Sequence, residues 1–180
     1  SAATARLDFT VVIPAVLYLR IGTGNAIAAA NNTTVDAMSF TVPAANIGNG
    51  TAVNASAASG DLTNGAVTVR IFSNVGTNVT LNSSVTGQLS NGAGDTIPWS
   101  EIAIANSNLV APAFANTFPH IAALPASGAS ANFAPAPVAK VTNVGSTWTF
   151  TYRNNNTVPA GTYGGVGVNN GRVTYTASVL

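Results

Sequence analysis

The chain has no cysteine, a single histidine and almost no charge: six Lys and Arg against five Asp and Glu in 180 residues, for a net charge of +1. The absence of cysteine excludes disulfides and thiolate chemistry. Charged residues make up 6% of the chain, where ordinary soluble domains have about 25%. No basic run occurs, and nucleic-acid binding draws on clustered Lys and Arg that displace counterions, so no nucleic-acid partner is expected. Attraction to anionic lipid lacks its basic cluster too. No apolar run reaches the roughly 20 residues of a membrane-spanning helix, so no membrane span is expected. Also missing are a G-x-S-x-G nucleophile elbow, a D-x-D-x-D-G calcium loop and any internal repeat of about 20–50 residues.

What remains is a chain that is 47% apolar, with Asn, Thr, Ser and Gly supplying its polarity. That hydrophobicity is too high for a disordered chain and is enough for one sizeable core. Near-zero net charge removes the long-range repulsion between copies and makes self-association easier. The chain starts Ser1-Ala2-Ala3, small residues that match a mature end left by signal-peptide cleavage, so a secreted protein is expected.

The strongest pattern lies in residues 7–21. Leu7, Phe9, Val11, Ile13, Ala15, Leu17, Leu19 and Ile21 place an apolar side chain at every odd position. Period two held this long predicts a strand with one fully buried face. Further strands, bounded by Gly, Asn or Pro, are predicted at 35–42, 66–72, 78–81, 84–89, 101–105, 138–142, 147–152, 161–168 and 172–180. Residues 44–59 read as a short helix or surface loop. Residues 110–137, dense in Pro and Ala, read as a packed excursion rather than regular strand. Many short strands without a long amphipathic helix predict an all-β fold, a β-sandwich of Ig-like or jelly-roll-like type. The expected organisation is an N-terminal extension at 1–14 followed by a single domain over 15–180.

Candidate chemistry is sparse. His120 would have to serve any hydrolytic triad, with Ser100 and Asp95 as available partners, yet its place after Phe118-Pro119 reads more simply as packing. The acids Asp8, Asp36, Asp61, Asp95 and Glu101 are scattered and read as turn formers and surface charges. No catalytic residue, metal ligand or cofactor is therefore expected. Trp99, Trp148, Tyr152, Tyr163 and Tyr175 could supply a sugar-stacking platform only if two or three shared one exposed face, and Trp148, Phe150 and Tyr152 share the phase of a core strand. Asn-x-Ser/Thr sequons begin at Asn31, Asn32, Asn49, Asn54, Asn78, Asn82 and Asn155, in a composition that produces them by chance.

A fifteen-residue strand would run roughly 50 Å, where most strands stop near 5–6 residues. Pro14, at its midpoint, has no N–H for a central ladder. Two explanations fit. One strand can pass between the two sheets of its own fold at Pro14. Alternatively the halves have different owners: residues 16–21 begin this subunit's sheet, while residues 7–13 fill an edge groove in a neighbour. Head-to-tail repetition of that contact does not close and builds a filament.

The segment Leu7-Asp8-Phe9-Thr10-Val11-Val12-Ile13 resembles the donor strands of chaperone–usher pilins and, more loosely, is similar to TasA-like biofilm fibre proteins. The ending Val173-Thr174-Tyr175-Thr176-Ala177-Ser178-Val179-Leu180 resembles the final strand of secreted bacterial surface β-sandwiches. The classical pilins often carry a cysteine pair that this chain lacks. The resemblance implies a non-catalytic, extracellular subunit of a cell-surface filament, joined to other copies by donor-strand exchange. Leu7, Phe9, Val11 and Ile13 would be its interface residues. Its partner would be itself, with or without a secretion chaperone. The alternative is a secreted carbohydrate-binding or adhesive module.

Overall fold

The computed structural model describes residues 1–24, 27, 32–76, 78–110, 114, 118–135 and 140–179. Within them the chain is all-β, with single 3-10 turns at Ala44–Asn46 and Trp99–Glu101. The strands are β1 (Leu17–Ile21), β2 (Val53–Asn54), β3 (Ala66–Ser73), β4 (Val79–Val85), β5 (Leu89–Ser90), β6 (Thr96–Ile97), β7 (Ile102–Ser107), β8 (Gly128–Ala129), β9 (Thr142–Tyr152) and β10 (Thr174–Val179).

The larger sheet is built around β9. Along one flank β3 pairs with residues 142–149, and β2 continues that flank at Thr151 and Tyr152. The same two residues pair with Ala103 and Ile102 of β7, which therefore lies on the opposite flank. β1 pairs with β3, from Leu17 opposite Ser73 to Ile21 opposite Val69. The sheet thus ends in β1 on one side and β7 on the other. The second sheet runs β10-β4-β8, and β5 and β6 form a hairpin. Every ladder is antiparallel.

Both sheets bury their apolar rows in one core. Val67, Val69 and Ile71 of β3 and Trp148, Phe150 and Tyr152 of β9 meet Val79, Leu81 and Val85 of β4. Trp148, Val69, Ile71 and Leu81 have no exposed surface. The interior is sealed by hydrogen bonds from its large aromatics: the Trp148 indole N–H donates to the Phe118 carbonyl at 2.6 Å, and that of Trp99 to Gly87 at 2.7 Å. A buried indole left unpaired would carry a desolvation cost of about 1–3 kcal/mol.

Several strand boundaries differ from those the sequence pattern predicts. The segments 78–81 and 84–89 are largely one strand, β4, because Asn82-Ser83-Ser84 continues the ladder and Ser83 is fully buried. Residues 35–42 alternate in burial, with Met38, Phe40 and Val42 against the core. They form no ladder: only Ser39 and Ala37 accept backbone bonds, from Ser56 and Gly60. Alternation reports a buried face, not a partner. Residues 161–168 are turns, with Gly164 at φ +82°. The strand expected at 138–142 falls partly outside the described residues, and β9 begins at Thr142. Residues 44–59 hold both a 3-10 turn and β2, and the described part of 110–137 contributes only β8.

β1 is bounded sharply at its far end. Gly22 has φ +89° and donates to Thr68 O at 2.8 Å, and a Cβ there would meet the Asp36 carboxylate. Glycine is the residue that takes this conformation without steric cost.

Candidate subunit interface

Residues 1–13 lie outside both sheets. Leu7, Phe9, Val11 and Ile13 are 80%, 86%, 84% and 75% exposed, and Val12 is exposed as well. No strand includes them and no described residue hydrogen-bonds to residues 7–13. The alternating row that predicts a buried face thus forms an arm with nothing on either face. Other large exposed apolar residues, such as Ile47, Leu62 and Val141, are scattered along the chain. Among the described residues the arm alone presents five within seven residues.

The root of the arm explains why pairing stops where it does. β3 ends at Ser73, and the chain turns at Asn74-Val75-Gly76, so no strand continues beside the residues before Val16. The last main-chain bond runs from Asn74 N–H to Val16 O at 3.2 Å. The Asn74 side chain then substitutes for one more ladder rung. Its Oδ1 accepts from Val16 N–H at 2.8 Å and its Nδ2 donates to Pro14 O at 2.8 Å. Pro14 itself offers no N–H. Asn74 therefore fixes the direction in which the arm leaves the sheet. Asn before Val-Gly reads in the sequence as a turn signal; that its amide reaches a strand about sixty positions earlier is not legible there.

Outside the arm, the residues considered for chemistry are each committed elsewhere. His120 is buried among Phe133, Trp148, Phe150 and Tyr175. Its Nδ1 lies 2.7 Å from Ile121 O, which can only accept, so Nδ1 carries the proton. Nε2 is then the acceptor for the Tyr175 hydroxyl at 2.8 Å. Burial holds the imidazole below its ordinary pKa, opposed by its bond to Ile121, and burial raises the Tyr175 phenol. Neither Ser100 nor Asp95 is a partner: Ser100 O accepts from Arg153, and Asp95 accepts from Asn91 Nδ2 at 2.9 Å.

The acids act as clamps on backbone and turns. Asp61 accepts from Thr68 N–H and Oγ1 at 2.8 and 2.6 Å and pairs with Arg20 at 3.4 Å. Asp36 ties down Thr23. Glu101, expected at the surface, is buried and accepts from Asn155 N–H and Asn156 Nδ2 at 3.3 and 3.0 Å. Among the described residues no three His, Asp or Glu side chains group to hold a metal. A depression of about 350 Å3 lined by Leu62, Leu109, Val110 and Thr147 contains no acid or base.

Of the five aromatics considered for sugar stacking, Trp99, Trp148 and Tyr152 are buried, and Tyr163 and Tyr175 are half-buried. The described sequon residues Asn49, Asn54 and Asn155 are exposed, and Asn32, Asn78 and Asn82 are half-exposed; Asn31 lies outside the described residues. Among the described residues no helix is long and apolar enough to cross a membrane. Comparison of the chain with protein-family models, with curated proteins and with solved structures finds no match.

Proposed function

We propose that this protein is the structural subunit of an extracellular fibre, a pilus or biofilm-matrix filament, assembled by strand exchange between neighbouring copies. One observation carries this: an apolar strand pattern over residues 7–13 that is 75–86% exposed at its odd positions and has no hydrogen-bond partner among the described residues. Fully burying a side chain such as Leu, Ile, Val or Phe stabilises by roughly 1.5–3 kcal/mol. Four of them in one row make a large favourable term that this subunit leaves unused. Left uncovered, such a strand is an aggregation hazard. Insertion into a neighbour covers it, and a secretion chaperone would cover it in transit. Head-to-tail insertion does not close and yields a filament at the cell surface. The glycan-binding alternative needs an exposed aromatic platform, and the two tryptophans that would anchor one are buried.

The phase of the arm provides the test. Val11→Asp places a carboxylate in the row that a neighbour would bury, and an unpaired buried charge is strongly unfavourable. Val12→Asp places it on the opposite face. Val11→Asp should give folded monomers, with the parent's circular dichroism and melting temperature, that form no fibres by negative-stain microscopy. Val12→Asp should still assemble. Unfolding of the Val11→Asp monomer would mean that the strand belongs to its own fold. Normal assembly of both variants would remove the arm from the assembly contact.

A further inference from the structure

We infer that the acceptor for the arm is the seam between the free edges of β1 and β10, and that its occupant is residues 7–13 of a second copy; this rests on the strand-exchange proposal above. In each sheet, burial declines from the inner strand toward the edge formed by β1 or β10. Across β3 to β1, Val69 and Ile71 are 0% exposed, whereas their ladder partners Ile21 and Leu19, on the same core-facing side, are half-buried. Across β4 to β10, Leu81 and Ser83 are 0% exposed, and their partners Ala177 and Tyr175 are half-buried. These two incomplete edges touch each other across the sheets. Between them runs an apolar row, Leu17, Leu19 and Ile21 on one side and Tyr175, Ala177 and Val179 on the other, all packed at the margin of the core.

The main chain is incomplete along the same line. Among the described residues β1 has one ladder partner, β3, and β10 has one, β4. Among the described residues each strand therefore ends its sheet, and such an outward edge is the template for adding a strand. The remaining edges are poor templates, and β2, β5 and β6 are two residues long each. β7 ends in exposed Ala105, Asn106 and Ser107, with the Asn106 side chain bonded to Ser146. β8 is two residues long, and the chain beyond it re-pairs with Leu81 through Phe133.

The arm matches the seam in length and phase. β10 has six residues, about 20 Å of strand, and residues 7–13 span about 23 Å. Both carry apolar side chains at odd positions and Asp, Thr, Ser or Val at even ones. Laid beside β10, the arm would direct Leu7, Phe9, Val11 and Ile13 into the seam. Thr10 and Val12 would then share the outer face with Thr174, Thr176 and Ser178, which are exposed. The arm's own root is fixed at β1 by Asn74, and a second copy supplies the strand without bending that root back.

A cysteine-free chain lets this be read directly. Donor variants Asp8→Cys, Thr10→Cys or Val12→Cys are each mixed with an acceptor variant, Thr176→Cys on β10 or Ala105→Cys on β7, assembled into fibres and oxidised. Directly opposed residues of adjacent antiparallel strands have Cα atoms about 4.5–5.5 Å apart, within the roughly 4.4–6.8 Å that a disulfide spans. We expect one donor position to give a reducible heterodimer on a denaturing gel with Thr176→Cys and none to do so with Ala105→Cys. Fibres that form but link at Ala105→Cys, or at neither site, would overturn the β10 seam while leaving strand exchange standing. Fibres that persist after deletion of residues 1–13 would overturn both. A link formed within one chain, in a double variant at high dilution, would show that the seam takes its own arm and overturn the second-copy assignment.

Discussion

β3 and the arm carry the same message in sequence and meet opposite fates. Val67, Val69 and Ile71 alternate with polar or charged residues and are at most 2% exposed; Leu7, Phe9, Val11 and Ile13 alternate in the same way and are at least 75% exposed. The difference lies in what stands beside them. β3 has β1 on one flank and β9 on the other. The arm joins the sheet where β3 turns away at Asn74, and it is followed by Pro14, which cannot extend the ladder. Period two states that a strand has a side to bury. It does not state which chain provides the cover.

The sharpest way to break the comparison is to damage each region and ask what is lost. Trp148 is fully buried, touches Phe118, His120, Phe133 and Tyr175, and donates to Phe118 O. Trp148→Ala should cost about 3–5 kcal/mol, a large part of the roughly 5–15 kcal/mol by which domains are stable. A chain lacking residues 1–13 should keep the parent's urea midpoint and lose only assembly. Equal loss of midpoint in both variants would make the arm part of the monomer's core.

An intermediate effect is expected at the junction. Asn74→Ala removes the acceptor for Val16 N–H and the donor to Pro14 O. At about 0.5–1.5 kcal/mol for an ordinary hydrogen bond, and less for the exposed one, the monomer should lose roughly 1 kcal/mol. Fibres should form more slowly, because the arm no longer leaves the sheet in one direction. Asn74→Asp keeps the acceptor and should fall between the two in fibre lag time. A lag identical to the parent's in Asn74→Ala would relieve Asn74 of any positioning role.

The same contrast explains what the sequence showed and what it withheld. Two strong alternating rows were legible as strands: 66–72 lies within β3, and 147–152 within β9. Asn82-Ser83 read as a break between two strands, yet Ser83 is buried in mid-strand opposite Tyr175. The alternating row at 35–42 was visible, but its want of a ladder was not, since hydrogen-bond partners come from distant segments. The candidate interface residues were legible one by one. The margin that would receive them was not, because Leu19 and Ala177 become neighbours of one seam only after both sheets have formed.

The smallest expected effect concerns β10, the strand that borders the seam, and it is driven by acid. Few ionisable groups lead one to expect stability that hardly changes with pH, but His120 is buried neutral, with its Nε2 accepting from Tyr175 on β10. Burial lowers its pKa in the folded protein below the ordinary 6.5. The unfolded chain therefore takes up the proton first as pH falls. Stability from this site is complete above pH about 6.5 and declines below it, until the folded imidazole is itself protonated. The slope cannot exceed one proton, about 1.4 kcal/mol per pH unit. His120→Gln removes the titration and keeps a neutral polar side chain for Tyr175. The parent's stability advantage over His120→Gln, measured from urea midpoints, should be constant between pH 7 and 8 and shrink as pH is lowered from 6.5 toward 5. An advantage that holds or grows over that range would mean that the folded protein accommodates the imidazolium, contrary to its aromatic surroundings. If the advantage shrinks, dissociation of preformed fibres should begin over the same interval in the parent and be weaker in His120→Gln, since protonation reverses the donor at Nε2 and loosens the strand on which the seam depends.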